Sequence, residues 1–172
     1  MGGPARSVDE LRGLIPVLER VIYLNTGSVG PLSRPVRDAE AAWQERLYTQ
    51  GPADPAVVAA GEELLAGLRG KVARLLGAAG DEIALTHNCT EGINLVAAGL
   101  PWSPGDEVVV SSLEHEAGLA PWTFLARRYG LRVRVVETAD GRLDPAAVVA
   151  ALSPATRLVC LSHVAYSTGA LL

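Results

Sequence analysis

The stretch that decides the fold is Ile83-Ala84-Leu85-Thr86-His87-Asn88-Cys89-Thr90-Glu91-Gly92-Ile93-Asn94-Leu95. It predicts a short apolar strand, a polar turn and then a helix that is opened by a hydroxyl residue. The first backbone N–H groups of a helix have no partner within it, and the helix dipole favours negative charge at that end. Cys89 and Thr90 stand where such a junction binds a phosphate, and Thr90 adds a side-chain hydroxyl. The stretch therefore predicts an anion site.

Downstream of this stretch, short apolar runs alternate with helical patterns. Strands are predicted over residues 82–86, 107–111, 132–137 and 157–162. Helices are predicted between them over residues 90–100, 118–129 and 145–152. Repeated strand–helix–strand units predict an α/β fold, in which a parallel sheet lies between helices in three αβα layers. Val108–Val110 and Leu158–Leu161 are apolar without alternation, which is typical of strands buried on both faces.

Upstream, residues 1–35 are predicted to form an N-terminal arm and residues 36–172 a partial α/β domain. That domain starts with two helices, over residues 35–48 and from Asp54-Pro55 to Gly77. The arm contains a loop over residues 25–31 that is rich in glycine, asparagine and proline. A plain connector is the simpler interpretation of this loop, although its small residues also allow the backbone to approach a ligand closely.

Composition excludes several classes of function. The chain is 49% hydrophobic and 20% charged, with a net charge of −4, so it is globular and has no electrostatic attraction to nucleic acid or anionic membranes. No apolar run reaches the length of a membrane span, and residues 1–6 do not resemble a secretory signal. Arg6 is unsuited to myristoylation of Gly2. The two cysteines, Cys89 and Cys160, form neither a disulfide framework nor a metal site, so a cytoplasmic location is expected.

Polar residues are predicted to converge on one rim of the sheet. In parallel sheets, ligands bind beyond the carboxyl ends of the strands. The residues in those positions here are 86–90, 111–116 and 162–168. They hold all three histidines of the chain, His87, His115 and His163, and also Glu114, Glu116, Cys89 and Thr90. A pocket at this rim is the default hypothesis for the site.

The order and spacing of several motifs resemble one family. The segments 23–28, 86–94, 104–116 and 156–164, together with Pro121-Trp122, are similar to those of class V aminotransferase-fold enzymes, which depend on pyridoxal phosphate (PLP). That group includes cysteine desulfurases, selenocysteine lyases and isopenicillin N epimerase-like proteins. The resemblance implies the N-terminal portion of the large domain of a type I PLP-transferase. It also implies an amino acid substrate and a homodimeric full-length protein.

The resemblance also implies roles for individual residues. Cys89 and Thr90 match the pair that binds the cofactor phosphate. His115 matches the histidine that stacks on the pyridine ring, where it would also act in proton transfer. Tyr166 falls near the ring hydroxyl, where desulfurases carry an asparagine, and this departure favours the epimerase-like or lyase-like branch. Asn25 and Gly27 match the substrate-side loop.

One residue that the family requires has no counterpart. PLP enzymes hold the cofactor aldehyde covalently through a lysine, and the single lysine here, Lys71, lies in a helix and does not match the family's lysine motif. By resemblance the chain corresponds to the first half of such an enzyme. It would be inactive alone, and the full protein would catalyse transamination, epimerisation or C–S (or C–Se) cleavage. The alternative is a non-catalytic module that binds a phosphorylated ligand through Thr90. A generic nucleotide-binding domain is least favoured, because no Gly-x-Gly-x-x-Gly or Walker-type loop is present.

Overall fold

The computed structural model describes residues 7–138 and 140–172. It divides into two compact units, one ending at Leu85 and the other covering Thr86–Leu172. The predictions that concern a signal sequence and Gly2 fall on residues 1–6, which lie outside the described residues. The predicted boundary between residues 35 and 36 stays a prediction.

The first unit is helical. Its α-helices are α1 (Val8–Gly13), α2 (Arg34–Gln50) and α3 (Pro55–Leu76), with short 3₁₀ helices at Pro16–Glu19 and Gly80–Glu82. Helix α3 begins where predicted, because the Asp54 carboxylate accepts the N–H groups of Ala56 and Val57 at 2.8 and 3.3 Å. It ends at Gly77, whose φ of 68° lies in the left-handed region that glycine adopts without strain.

The strand predicted over residues 82–86 is wrong. Glu82 ends a 3₁₀ helix, and residues 83–86 belong to no regular element. The backbone of Ile83 is extended (φ −103°, ψ 116°), but within the described ranges no segment pairs with residues 82–86. A strand is held by hydrogen bonds to a neighbouring strand, so an apolar run in extended conformation does not suffice.

The second unit contains the predicted parallel sheet. Its elements are α4 (Cys89–Gly99), β1 (Glu107–Ser111), α5 (Glu116–Tyr129), β2 (Arg132–Val136), α6 (Pro145–Ala151) and β3 (Thr156–Cys160). The strand order is β2-β1-β3, and both pairs are parallel. The first strand in the sequence is therefore the central one.

Helices cover both faces of this sheet, as predicted. On one face, residues of α4 and α5 pack against Val108 and Val110, with Trp122 at 1% exposure among them. On the other face, Val148 of α6 packs with Val109. Strand β1 is fully buried, which confirms the interpretation of its unbroken apolar run.

Strand β3 differs from its prediction. Its exposure alternates along the strand, and Val159 is 42% exposed. Leu158 and Cys160 pack against the cluster on the α4–α5 face, whereas Val159 points to the opposite face and is not among the described residues that pack with α6 there. The burial of Leu158–Leu161 on both faces was therefore predicted wrongly.

Candidate functional site

The N-terminus of α4 is capped by Asn88, whose side-chain oxygen accepts the N–H of Glu91 at 2.9 Å. The Glu91 carboxylate turns back to His87, accepting its backbone N–H at 2.7 Å and contacting its ring Nδ1 at 2.9 Å. The backbone hydrogen bond from His87, followed by the one from its ring, holds the pKa of Glu91 below its usual value. The helix thus begins at Cys89, with an asparagine cap instead of the predicted hydroxyl residue.

This arrangement leaves two backbone donors at the start of α4. Across residues 7–138 and 140–172, no acceptor binds the N–H of Cys89 or of Thr90. Cys89 is exposed and Thr90 is half-buried. The Thr90 carbonyl is occupied, because Asn94 Nδ2 donates to it at 2.8 Å. Two free N–H groups and an adjacent hydroxyl are the donors that a phosphate accepts at a helix N-terminus.

His115 lies at the carboxyl end of β1, where it caps α5. Its Nδ1 accepts the N–H of Ala117 at 3.1 Å. A ring nitrogen that accepts a hydrogen bond carries no proton, so the proton of the imidazole is on Nε2. The ring meets the ring of Tyr166 edge to face, with centroids 5.0 Å apart and planes at 78°.

Tyr166 belongs to a turn over residues 163–172, called here the Tyr166 turn. The turn closes through an antiparallel bridge between Val164 and Leu171. The Thr168 hydroxyl ties it to the segment after β2 by donating to the Gly141 carbonyl at 3.1 Å. Gly141 has a φ of 68°, and a Cβ there would lie 2.8 Å from Cγ2 of Thr168, so only glycine allows this approach.

The structure brings some of the predicted site residues together. His115 and Tyr166 touch, and Cys89 and Thr90 start a helix of the same unit. Asn25 and Gly27 lie in a loop of the first unit, where the Asn25 carbonyl accepts the N–H groups of Ser28 and Val29 at 3.2 and 3.1 Å. The roles given to these residues stay predictions.

An apolar cleft of about 420 Å³ lies beside Cys89, between α4 and β3. It is lined by both cysteines and by Trp122. Burial raises the pKa of the Cys160 thiol above its usual value, which fits a small hydrophobic side chain better than a nucleophile. The Cys160 sulfur lies near the indole N–H of Trp122, yet within the described residues that N–H meets no acceptor in hydrogen-bond geometry.

Glu114 lies on the predicted rim, where the sequence indicates no role for it. The structure buries this carboxylate to 8% exposure and surrounds it with donors from Ser111, at the end of β1, and from Ser162, two residues after β3. Its position directly before His115 was the available signal.

A metal-binding cluster and a membrane-spanning helix are both absent from the described ranges. There, no three histidine, cysteine or acidic side chains cluster as metal ligands do. None of the helices in those ranges is both long and apolar enough to cross a membrane.

Comparison with known proteins connects this geometry to a family. The family model for aminotransferase class-V matches residues 23–172. A probable cysteine desulfurase of Methanothermobacter thermautotrophicus is 36% identical over 163 residues, which are 94% of this chain and 40% of that protein. Isopenicillin N epimerase of Streptomyces clavuligerus is 35% identical over 168 residues, which are 95% of this chain and 42% of that protein.

Solved structures show the same similarity. A variant of C-DES with glycine covalently linked to the PLP cofactor superposes with a TM-score of 0.86 at 34% identity, over 94% of this chain and 43% of that one. A cysteine desulfurase of Thermococcus onnurineus NA1 superposes with a TM-score of 0.84 at 27% identity, over 99% of this chain and 43% of that one. These values confirm the predicted fold class. The chain spans less than half the length of these relatives, and it belongs to the class V aminotransferase family.

Proposed function

We propose that the chain forms part of a PLP-dependent enzyme that acts on an amino acid. The start of α4 holds the cofactor phosphate, and His115 and Tyr166 contact the cofactor ring. The observation that carries the proposal is that one unit contains both the α4 donors and the His115–Tyr166 pair, which the structure sets in ring contact. The family membership supports it.

The donors at α4 suit a phosphate in number and kind. Within the part of the chain that the structure describes, the N–H groups of Cys89 and Thr90 are without acceptors. The helix dipole adds a positive potential, and the Thr90 hydroxyl supplies a third donor. Because the Glu91 carboxylate is engaged by His87, it does not compete for these N–H groups.

The aromatic pair suits a planar heterocycle. His115 is held by Ala117 with its proton on Nε2, and its ring is exposed. It orients the cofactor ring by stacking and offers a proton at Nε2. When bound, PLP supplies an electron sink for bonds at the substrate α-carbon.

The class of reaction is less narrowly defined than the identity of the cofactor. The relatives include a probable cysteine desulfurase and an isopenicillin N epimerase, which act on different bonds. We therefore propose transamination, epimerisation or C–S (or C–Se) cleavage for the full-length protein, with Asn25 and Gly27 on the substrate side. Tyr166, which by resemblance stands where desulfurases carry asparagine, favours the epimerase-like or lyase-like branch over a plain cysteine desulfurase.

The change Thr90→Ala tests the phosphate site. The variant is expected to raise the dissociation constant for PLP about tenfold, because one hydrogen bond to a charged group contributes about 1.5 kcal/mol or more. Fluorescence titration of the full chain with PLP measures it. Thr49→Ala serves as the matched control, since its hydroxyl donates to Glu45 within α2, and it is expected to bind PLP as the wild type does.

The same titration distinguishes the alternative function. A non-catalytic phosphate-binding module would bind PLP and a simple phosphate monoester with similar affinity. The proposal expects PLP to bind more tightly than both the monoester and pyridoxal, which lacks the phosphate. Equal dissociation constants for wild type and Thr90→Ala would contradict the phosphate site.

The chain alone is expected to bind PLP without a covalent bond. Its single lysine, Lys71, lies within α3 of the first unit, in a sequence unlike the family's lysine motif. After incubation with PLP and reduction with borohydride, mass spectrometry is expected to find no PLP adduct at Lys71 above the level found on an unrelated protein. A stoichiometric adduct that Lys71→Ala abolishes would show that the chain supplies its own covalent anchor.

The proposal also includes a reducing cytoplasm and a homodimer of the full-length protein. Both cysteines are free thiols, which fits that compartment.

A further inference from the structure

Glu114 connects the ends of two neighbouring strands. Its Oε1 accepts the Ser111 hydroxyl at 2.9 Å and the Ser162 N–H at 2.8 Å. Its Oε2 accepts the Ser162 hydroxyl at 2.6 Å. Ser111 is the last residue of β1, and Ser162 follows β3 by two residues. One buried carboxylate therefore fastens the exits of β1 and β3 to each other.

This carboxylate is buried without a cationic partner in the described part of the chain. It is 8% exposed, and none of the cationic side chains in the described ranges forms an ion pair with it. Burial of an acidic group is costly unless hydrogen bonds compensate it. Three donors compensate it here, and two of them come from Ser162.

The two rings of the candidate site flank this connection. His115 follows Glu114 directly, and Tyr166 follows Ser162 by four residues. The Tyr166 turn has a second attachment, where Thr168 donates to Gly141. Tyr166 thus lies between two hydrogen-bonded residues, Ser162 and Thr168. Ser162 binds Glu114, which directly precedes His115.

We propose that Glu114 is a positioning residue that holds the His115 and Tyr166 rings in contact. By binding Ser162 it fixes the start of the Tyr166 turn relative to the first turn of α5. The ring contact is a property of the chain itself. Its consequence for the cofactor, a preformed surface for the pyridine ring, rests on the proposed function.

Aromatic NMR of the isotope-labelled full chain tests the ring contact without any cofactor. The nuclear Overhauser effect (NOE) between the His115 and Tyr166 rings is expected in the wild type and is expected to disappear in Glu114→Ala. Glu114→Gln is expected to retain at least half of its intensity, because the amide oxygen still accepts the Ser162 N–H. An unchanged NOE in Glu114→Ala would overturn the proposal.

Glu107→Ala is the matched control, because Glu107 is the other buried acid at the ends of β1 and also binds residues near two strands. It is expected to destabilise the protein while leaving the NOE intact. Loss of the NOE in this control would mean that general loosening separates the rings, and it would overturn the positioning role. If Glu114→Ala does not fold, Ser162→Ala replaces it. That variant is expected to weaken the NOE, and full intensity would refute the proposal.

Affinity for PLP gives the second readout. Glu114→Ala is expected to raise the dissociation constant for PLP by three- to tenfold, and Glu107→Ala to leave it unchanged. If the wild type binds no PLP, the proposed function fails, while the NOE still decides the role of Glu114.

Discussion

Replacing Trp122 by alanine is expected to lower the free energy of unfolding by about 3–5 kcal/mol. Trp122 is 1% exposed and packs with the central strand on the α4–α5 face of the sheet. Its ring also meets Trp102 edge to face, at a centroid distance of 6.2 Å. Alanine would remove these contacts and leave a cavity that a fixed sheet cannot close. Urea unfolding at pH 7, followed by far-ultraviolet circular dichroism, measures the loss.

Two further variants separate packing from the mere loss of an aromatic ring. Phe124→Ala alters the same helix at a side chain that is 59% exposed, and we expect a loss below about 1 kcal/mol. Trp122→Phe keeps a ring in the core and removes the indole N–H, which has no acceptor in the described part of the chain. Its cost is expected to be about 1–2 kcal/mol. Equal losses for Trp122→Ala and Phe124→Ala would contradict the assigned core.

Glu107→Ala is expected to cost about 3 kcal/mol at pH 7. Glu107 is 2% exposed, and its carboxylate accepts bonds from Arg134 at 2.9 Å, Thr156 at 2.9 Å and Ser153 at 3.1 Å. Alanine leaves these donors without their acceptor. Arg134 is half-exposed, so its charge stays hydrated, and this keeps the loss near the lower end of that for a buried ion pair.

The effect of Glu107 is also expected to depend on pH. The hydrogen bond from Arg134, together with those from Thr156 and Ser153, holds the pKa of Glu107 below its usual value despite burial. A carboxyl whose pKa is lower in the folded state stabilises that state above its unfolded pKa of about 4.3. This contribution is lost as the pH falls through the folded pKa. The difference in unfolding free energy between wild type and Glu107→Ala is therefore expected to have its maximum value at pH 7 and to become smaller below about pH 4.3.

Glu137→Gln, an exposed acid just after β2, is the control for this titration. Its unfolding free energy is expected to follow that of the wild type at every pH. A difference for Glu107→Ala that stays constant from pH 7 to pH 3 would show that the carboxylate does not carry the stabilisation.

The sequence predicted what depends on local pattern. Strand β1 was predicted with its observed bounds, because a turn-forming Pro104-Gly105-Asp106 precedes an unbroken valine run. Strands β2 and β3 were found to within two residues. The strand at residues 82–86 failed because an apolar pattern does not reveal whether a neighbouring strand is present to pair with it.

The site was predictable in part for the same reason. The helical pattern predicts a helix start near Thr90, so the free donors at Cys89 and Thr90 were expected, whereas the cap was not, because the structure uses Asn88 in place of the predicted hydroxyl residue. The contact between His115 and Tyr166 was not, because it depends on packing between segments about fifty residues apart. The hydrogen bonds of Glu114 to Ser162 also join distant segments, and its position directly before His115 marks it as a neighbour of the site but not as buried.

The strand order has a consequence for synthesis of the chain. Strand β1 is central and completely buried in the finished sheet, yet it precedes both of its neighbours in the sequence. Its second edge is covered only after β3 has left the ribosome, roughly 50 residues or about 3–10 s later at ordinary rates of translation. During that interval, Val108–Val110 form an apolar segment of high β-propensity with at least one open edge, the kind of segment that pairs with other chains. A chaperone that binds this segment during synthesis would therefore affect the yield of folded protein more than one that binds β2 or β3.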